Sequence, residues 1–183
     1  MIIGLGYKAR VGKDTVGDYL NQEMGFGKAS FAFAIKEAVK IIYGWNDRHV
    51  YGDLKEIVDP FWGESPRRVM QIFGTEACRN HLDDDIWIKS VLRKIQNVNE
   101  NWVVTDVRYP NEVAAIKNLG GVLVRIDRRF PDETSSGANR HISETALDGF
   151  TGWDYSLQNN DSFTSLYRKV DELLSNIMGD EGE

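Results

Sequence analysis

"GLGYKARVGKDTVGDYL", Gly4 to Leu20, follows an opening Met-Ile-Ile, and how it is read decides the fold. The phosphate-loop rule G-x-x-x-x-G-K-[ST] is nearly met and is missed twice. Five positions before Gly12 stands Tyr7 instead of glycine, and Lys13 is followed by Asp14, with the hydroxyl delayed to Thr15. Ile2 to Leu5 reads as a short buried strand, and Val16, Tyr19 and Leu20 carry helical spacing. A loop between strand and helix can turn consecutive N–H groups and the positive helix end toward phosphate. A glycine-rich turn of purely structural use would fit the same letters. The context decides against it, because Lys8 and Arg10 lie beside Lys13 and a structural turn needs no such cations. Gly12 suits the tight backbone, Lys13 the phosphate oxygens, and Thr15 the magnesium-ligating hydroxyl. If the Tyr7 position takes a positive φ, tyrosine costs energy there that glycine avoids. Gly6, with one residue inserted, is the other source of flexibility.

Outward from the loop, 183 residues suffice for one full core, and a single domain over 1–183 is expected. A 42% hydrophobic and 27% charged composition is that of a soluble globular chain, with no apolar run long enough to span a membrane. The first apolar residues lead straight into the loop, so secretion is not expected. The single cysteine, Cys78, excludes an internal disulfide and a cysteine zinc site, which fits a reducing cytoplasm. A net charge of -6 argues against a polymeric nucleic-acid partner, since those phosphates are held by clustered cations. "LDDDIWIK" reads as a helix opened by favourable acids and the final "GDEGE" as a frayed tail.

Strand and helix patterns alternate along the chain. "KASFAF" reads as a second strand, "AIKEAVKIIYGW" as a helix, and residues 46–64 as loop with room for one short helix. Ser65 is a candidate N-cap with Pro66 at the first helical position of "SPRRVMQIFGTEACRN". Then come helix "IWIKSVLRKIQNV", strand "NWVVTDVRYP", helix "NEVAAIKNLG", strand "GVLVRIDRR", a polar segment 130–140, helix "ISETAL", strand "YSLQN" and an amphipathic helix 163–178. The alternation predicts an α/β fold, a parallel sheet flanked by helices in three layers, with ligand at the strand C-terminal ends.

In order and spacing, "KARVGKDT", "PRRVMQIFGTEACR", "DDDIWIK", "VVTDVRYPNE", "HISE" and "YSLQNN" resemble the bacteriophage-type deoxynucleoside monophosphate kinases, a family of P-loop kinases. The resemblance spans residue 1 to about 170 and is weak over 46–64 and the tail. The delayed hydroxyl is similar to small nucleotide kinases, whose loops often end in Gly-Lys, one further residue, then Thr. The family implies the P-loop kinase fold with a lid, here about 128–141, and an acceptor-nucleotide region about 65–90. It implies magnesium and ATP as cofactors, deoxynucleoside monophosphates as acceptors, and diphosphates for DNA synthesis as products. It is compatible with a homodimer and, for a phage enzyme, with the host cytoplasm.

Residue by residue, the resemblance implies ATP contacts at Arg10, Gly12, Lys13, Asp14 and Thr15, with Asn159 approaching the adenine. Acceptor contacts would come from Lys8, Arg67, Arg68, Gln71, Gly74, Thr75, Asp106, Arg108 and Glu112, the last through sugar or base. Lys13, Asp14, Arg68 and Arg108 are the catalytic candidates, and Thr15 and Asp106 the metal candidates. The chemistry is consistent with this list. Bringing two polyphosphates together demands charge neutralisation and in-line positioning, and the planar arginine fork binds phosphate oxygens in pairs. The adjacent cations Arg67 and Arg68 at a helix start need an anion nearby. Gln71 and Thr75 lie four apart on one helix face, and an amide satisfies different base edges by flipping. Trp87 reads equally as a base platform or a core residue. Ser143 matches a polar family position, and a helix N-cap is the simpler reading. Arg128, Arg129 and Arg140 are candidate lid cations; an ordinary surface loop is the alternative. His141 has no partner visible in the sequence. Competing activities are another small-molecule P-loop kinase, of phosphomevalonate or dephospho-coenzyme A type, and a nucleotide-binding module that transfers nothing. A flat base platform at Gln71, Thr75 and Trp87 distinguishes the first reading from these.

Overall fold

The computed structural model describes residues 1–95, 100–129 and 141–180. The chain forms two compact units, one built from Met1–Ala29 with Asn97–Glu183 and the other from Ser30–Gln96.

The first unit is a five-stranded sheet in the order β2-β3-β1-β4-β5. Its strands are β1 Ile2–Gly6, β2 Gly27–Ala29, β3 Trp102–Val107, β4 Val122–Asp127 and β5 Tyr155–Gln158. All pairings are parallel, with Ile2 opposite Trp102 and Ile3 opposite Val122. The central strand β1 is buried from end to end, which is why it reads as an almost unbroken apolar run. Helix α1, Lys13–Met24, packs on one face through Val16 and Leu20, joined there by Leu166 and Val170 of the last helix. These side chains meet Ile3, Leu5, Val103, Val124 and Ile126 in one core. On the opposite face Gly4 lies where a Cβ would come within 3.1–3.3 Å of Val107, Leu123 and Ile116. At Gly17 on α1 a Cβ would sit 2.3 Å from Thr105 of β3, so the absence of a side chain lets helix and sheet approach.

Because the strands run parallel, the residues that follow them gather along one edge: the 7–12 loop after β1, Arg108 after β3, Arg128 and Arg129 after β4, and Asn159 after β5. The chain steps from β3 over β1 to β4, making the end of β1 the switch point at which open α/β sheets bind ligands.

The second unit contains α2 Phe33–Tyr43, α3 Asp47–Val50, a 3₁₀ turn Asp53–Glu56, α4 Pro66–Gln71, a π-helical segment Ile72–Arg79 and α5 Ile86–Ile95. Val39, Trp45, Val50 and Val69 form its core. Trp45 donates through Nε1 to Asp59 at 2.7 Å, so residues 46–64, expected mainly as loop, fold against an aromatic centre. Ser65 caps α4 by accepting from the Arg68 N–H, with Pro66 in the first turn, as the sequence predicts. The continuous helix expected here changes pitch after Gln71, and the Asn80 N–H reaches back five residues to Thr75 O. In the first unit, α6 Pro110–Asn118, α7 Ile142–Thr145 and α8 Phe163–Asp180 complete the set of described helices. "KASFAF" yields only the three-residue β2, and residues 130–140, including Arg140, lie outside the described residues.

Candidate active site

The loop after β1 contains three left-handed residues, Tyr7 at φ 90°, Arg10 at 63° and Gly12 at 99°. Gly12 is the N-cap of α1 and supplies no side-chain bond, so the first amides of the helix have no intrahelical acceptor. A Cβ on Gly12 would stand 2.3 Å from Asn159 Nδ2. Asn159, expected near adenine, is buried, and its Nδ2 donates to Val11 O at 2.8 Å, tying the loop to the end of β5.

The cost of the missing glycine is visible at Tyr7. A left-handed non-glycine residue costs about 1–2 kcal/mol. The Arg125 guanidinium carbon lies 3.9 Å from the Tyr7 ring centroid, and Trp153 meets the ring edge-on at 6.5 Å. Cation–π and edge-to-face contacts contribute about 0.5–1.5 kcal/mol each, enough to offset the strain. Gly6 makes room for Trp153 and does not supply the turn: a Cβ there would lie 2.3 Å from the indole.

Lys13, the first residue of α1, is 6% exposed. Its ammonium folds back over the loop, donating to Lys8 O and, at 3.4 Å, to Tyr7 O. Its pKa is lowered from 10.5 to about 8, by burial first and by Arg108 second, while Asp14, Asp106 and Glu144 pull the other way. Asp14 is exposed and Thr15 half-buried in the same first turn. Asp106 is the half-buried penultimate residue of β3.

Arg108 and Lys8 converge on the short α7 segment. Arg108 Nη1 donates to Ser143 O at 3.2 Å and to Glu144 Oε1 at 3.1 Å. Lys8 Nζ donates to Glu144 O at 3.2 Å and pairs with Asp148. Asp148, 140 positions from its partner, leaves no local signal in the sequence. Glu112, expected at sugar or base, is 2% exposed; its Oε2 accepts from the N–H groups of Arg108 (2.7 Å) and Tyr109 (3.1 Å). It therefore shapes the Arg108 turn from beneath. Ser143 is not the N-cap of α7. His141 is, accepting from the Ser143 N–H, with Ser143 Oγ 2.8 Å from His141 Nδ1. Arg128 and Arg129 are exposed, and the Arg129 N–H donates to Asn160 Oδ1 at 2.7 Å.

The remaining candidates belong to the second unit. The anions required by the paired arginines are Glu56, 2.5 Å from Arg67 Nε, and Glu76, 3.4 Å from Arg68 Nη1. Gln71 and Thr75 flank the change of helical pitch, both half-buried. Gly74 is buried where a Cβ would meet Ile35 at 2.8 Å. Trp87 is 6% exposed and donates through Nε1 to Gly74 O at 2.8 Å, the core alternative of its two readings.

Magnesium is held mainly by substrate phosphates with one or two protein oxygens, a demand that the Thr15 hydroxyl and the Asp106 carboxylate suit. Among the described residues no group of three or more His, Cys, Asp or Glu is placed to hold a metal ion.

A glycine-capped helix, a buried lysine and converging cations at the switch point of a parallel sheet define a P-loop kinase. Solved structures share the fold: dephospho-CoA kinase from Campylobacter jejuni superposes with a TM-score of 0.54 at 15% identity, covering 98% of both chains. Shikimate kinase from Aquifex aeolicus gives 0.52 at 15% identity over the whole of both chains. The chain belongs to the deoxynucleotide monophosphate kinase family, whose model matches residues 62–170. A protein of Acanthamoeba polyphaga mimivirus assigned to the same kinases is 32% identical over 96% of this chain and 97% of its own length. The deoxynucleotide monophosphate kinase of Escherichia phage RB69 is 28% identical over 72% of this chain and 54% of the phage protein. That of phage T4 is 29% identical over 60% and 45% respectively.

Proposed function

We propose that this kinase transfers the γ-phosphoryl group of magnesium-bound ATP to deoxynucleoside monophosphates, yielding diphosphates for DNA synthesis. The observation that carries this reading is the buried Lys13 at a glycine-capped helix start, with Arg108 and Lys8 beside it, in a chain of this family. Phosphoryl transfer asks the protein for position and charge, with no covalent intermediate. The free amides of α1 and Lys13 would hold the β- and γ-phosphates, with Arg10 and Asp14 at the rim of the same loop. Bound magnesium would neutralise phosphate charge, held from the protein side by Thr15 and Asp106. Lys8 and Arg108 would receive acceptor phosphate, and Arg67, Arg68, Gln71 and Thr75 its nucleotide. Closure by the segment containing Arg128, Arg129 and Arg140 would exclude water and limit wasteful hydrolysis.

No helix among the described residues is long and apolar enough to cross a membrane. Phage and mimivirus relatives support action in an infected host's cytoplasm, with free nucleotides as partners in place of polymeric nucleic acid. Exposed Ile41, Ile42, Phe61 and Trp62 in the second unit support self-association as a homodimer, which light scattering tests directly. The activity is tested by ADP release from magnesium-ATP with a panel of deoxy- and ribonucleoside monophosphates, beside Lys13→Ala and Arg68→Ala. Turnover with deoxynucleotides that both variants lose is expected. ATP binding without turnover on any monophosphate would refute the proposal.

A further inference from the structure

Two carboxylates that the phosphate-transfer reading leaves unused lie on its cations. Glu144 accepts from Arg108 at 3.1 Å, and Asp148 pairs with Lys8, whose ammonium also reaches Glu144 O at 3.2 Å. Both cations are only a quarter exposed, at 26% and 25% of their side-chain surface, and the Glu144 side chain is 18% exposed. Lys8 follows β1 and Arg108 follows β3, neighbouring strands, so with Lys13 three positive groups crowd one corner of the first unit. Like charges packed at low dielectric repel, and each requires an anion close by. When phosphate supplies that anion, a carboxylate at the same place becomes a repulsive neighbour. Both acids come from α7 and the turn after it.

We infer that Glu144 and Asp148 are anionic placeholders that occupy Arg108 and Lys8 in the free enzyme and yield them to incoming nucleotide phosphate. The inference rests on the phosphate-binding role proposed above for those two cations. In this role the acids hold the site together before substrate arrives and set an affinity threshold against single weak anions. Binding then requires displacement of two resident carboxylates, which a polyanion accomplishes and a lone small anion does not.

The test titrates inorganic tripolyphosphate by calorimetry at pH 7 and low salt into the wild type, Glu144→Gln, Asp148→Asn and the double variant. Glu172→Gln, in the exposed Arg168 pair on α8, controls for the change in net charge. Each site variant is expected to bind tripolyphosphate about two- to fivefold tighter, the free energy of a partly exposed ion pair, with a larger effect in the double variant. The control is expected to match the wild type, and the KM of any nucleotide turned over is expected to fall in the site variants. Unchanged or weakened tripolyphosphate binding in both single variants overturns the inference. So does a fall in kcat for Glu144→Gln that Glu144→Asp restores without tighter binding, since the acid would then be positioning Arg108. The binding measurement needs no turnover. A chain inactive on every monophosphate would defeat the kinase proposal, and the titration would still decide the placeholder.

Discussion

Lys13 should make the stability of the free enzyme rise with pH over a range where most lysines are silent. Its pKa falls from 10.5 to about 8 in the folded chain, through burial first and Arg108 second. A gap of that size corresponds to about 3 kcal/mol, at 1.36 kcal/mol per unit. Below pH 8 the lysine is protonated in both states and the whole penalty is present. Between about 8 and 10.5 the unfolded chain holds the extra proton, so stability increases with pH, and above that range the penalty is gone. From pH 7.5 to 9.5 the recovery amounts to about 2 kcal/mol, or about 4–8 °C in Tm for a chain of this size. Lys13→Met abolishes the titration. Denaturation of both proteins across this interval should therefore show the wild type gaining about 2 kcal/mol on the variant, whatever their offset at pH 7.5. Parallel profiles would refute the assignment of a desolvated, depressed lysine. The same reasoning requires tripolyphosphate binding near pH 8.5 to take up a proton, because an anion over the ammonium restores its pKa. Calorimetry in two buffers of different ionisation enthalpy would read that uptake, and proton release would contradict it.

Three further substitutions probe the scaffold. Gly17→Ala forces a methyl to 2.3 Å from Thr105 and should destabilise the first unit by about 1–3 kcal/mol, read by urea denaturation; a neutral result would mean that α1 does not pack on β3 as described. Asn159→Ala strips Val11 O of its buried donor, so a stability loss of about 1–3 kcal/mol should accompany a raised KM for ATP, and normal ATP kinetics would remove the loop-clamp role. Ser65→Ala should cost about 1 kcal/mol through loss of the α4 cap, and no change by chemical denaturation would show that the cap bond contributes nothing.

The alternation of apolar runs with helical spacing carried the sheet and its flanking helices into view because burial on both faces leaves a strand few polar choices. The loop was equally legible, since Gly12, Lys13 and Thr15 meet a demand of backbone geometry and charge within a few residues. What stayed hidden depended on distance or on hydrogen-bond pitch. The π segment after Gln71 has the same apolar spacing as an ordinary helix, so Val69, Ile72 and Phe73 gave no sign of the change. Trp87 could be placed only once Gly74 O was seen to accept its indole proton. The resemblance implies Glu112 as a site residue, and no local pattern shows that its carboxylate accepts from two backbone amides of its own turn. The support of Tyr7 by Arg125 and Trp153 joins residues more than a hundred positions apart, and no local pattern encodes it.

The strand order also dictates when the protein can fold during synthesis. β1 finds its partners in β3 and β4, beginning with Trp102 and Val122, and β2 also pairs with β3. At about 5–20 residues per second, the ribosome adds the intervening stretch of about one hundred residues over about 5–20 s. For that time Ile2, Ile3 and Leu5 have no sheet to enter, while Ser30–Gln96 already contains every residue of its own unit. The phosphate loop, translated before the strands that β1 pairs with, is thus among the last parts to acquire its shape, and a nascent chain stalled before Trp102 carries an unpaired apolar strand for chaperones to shield.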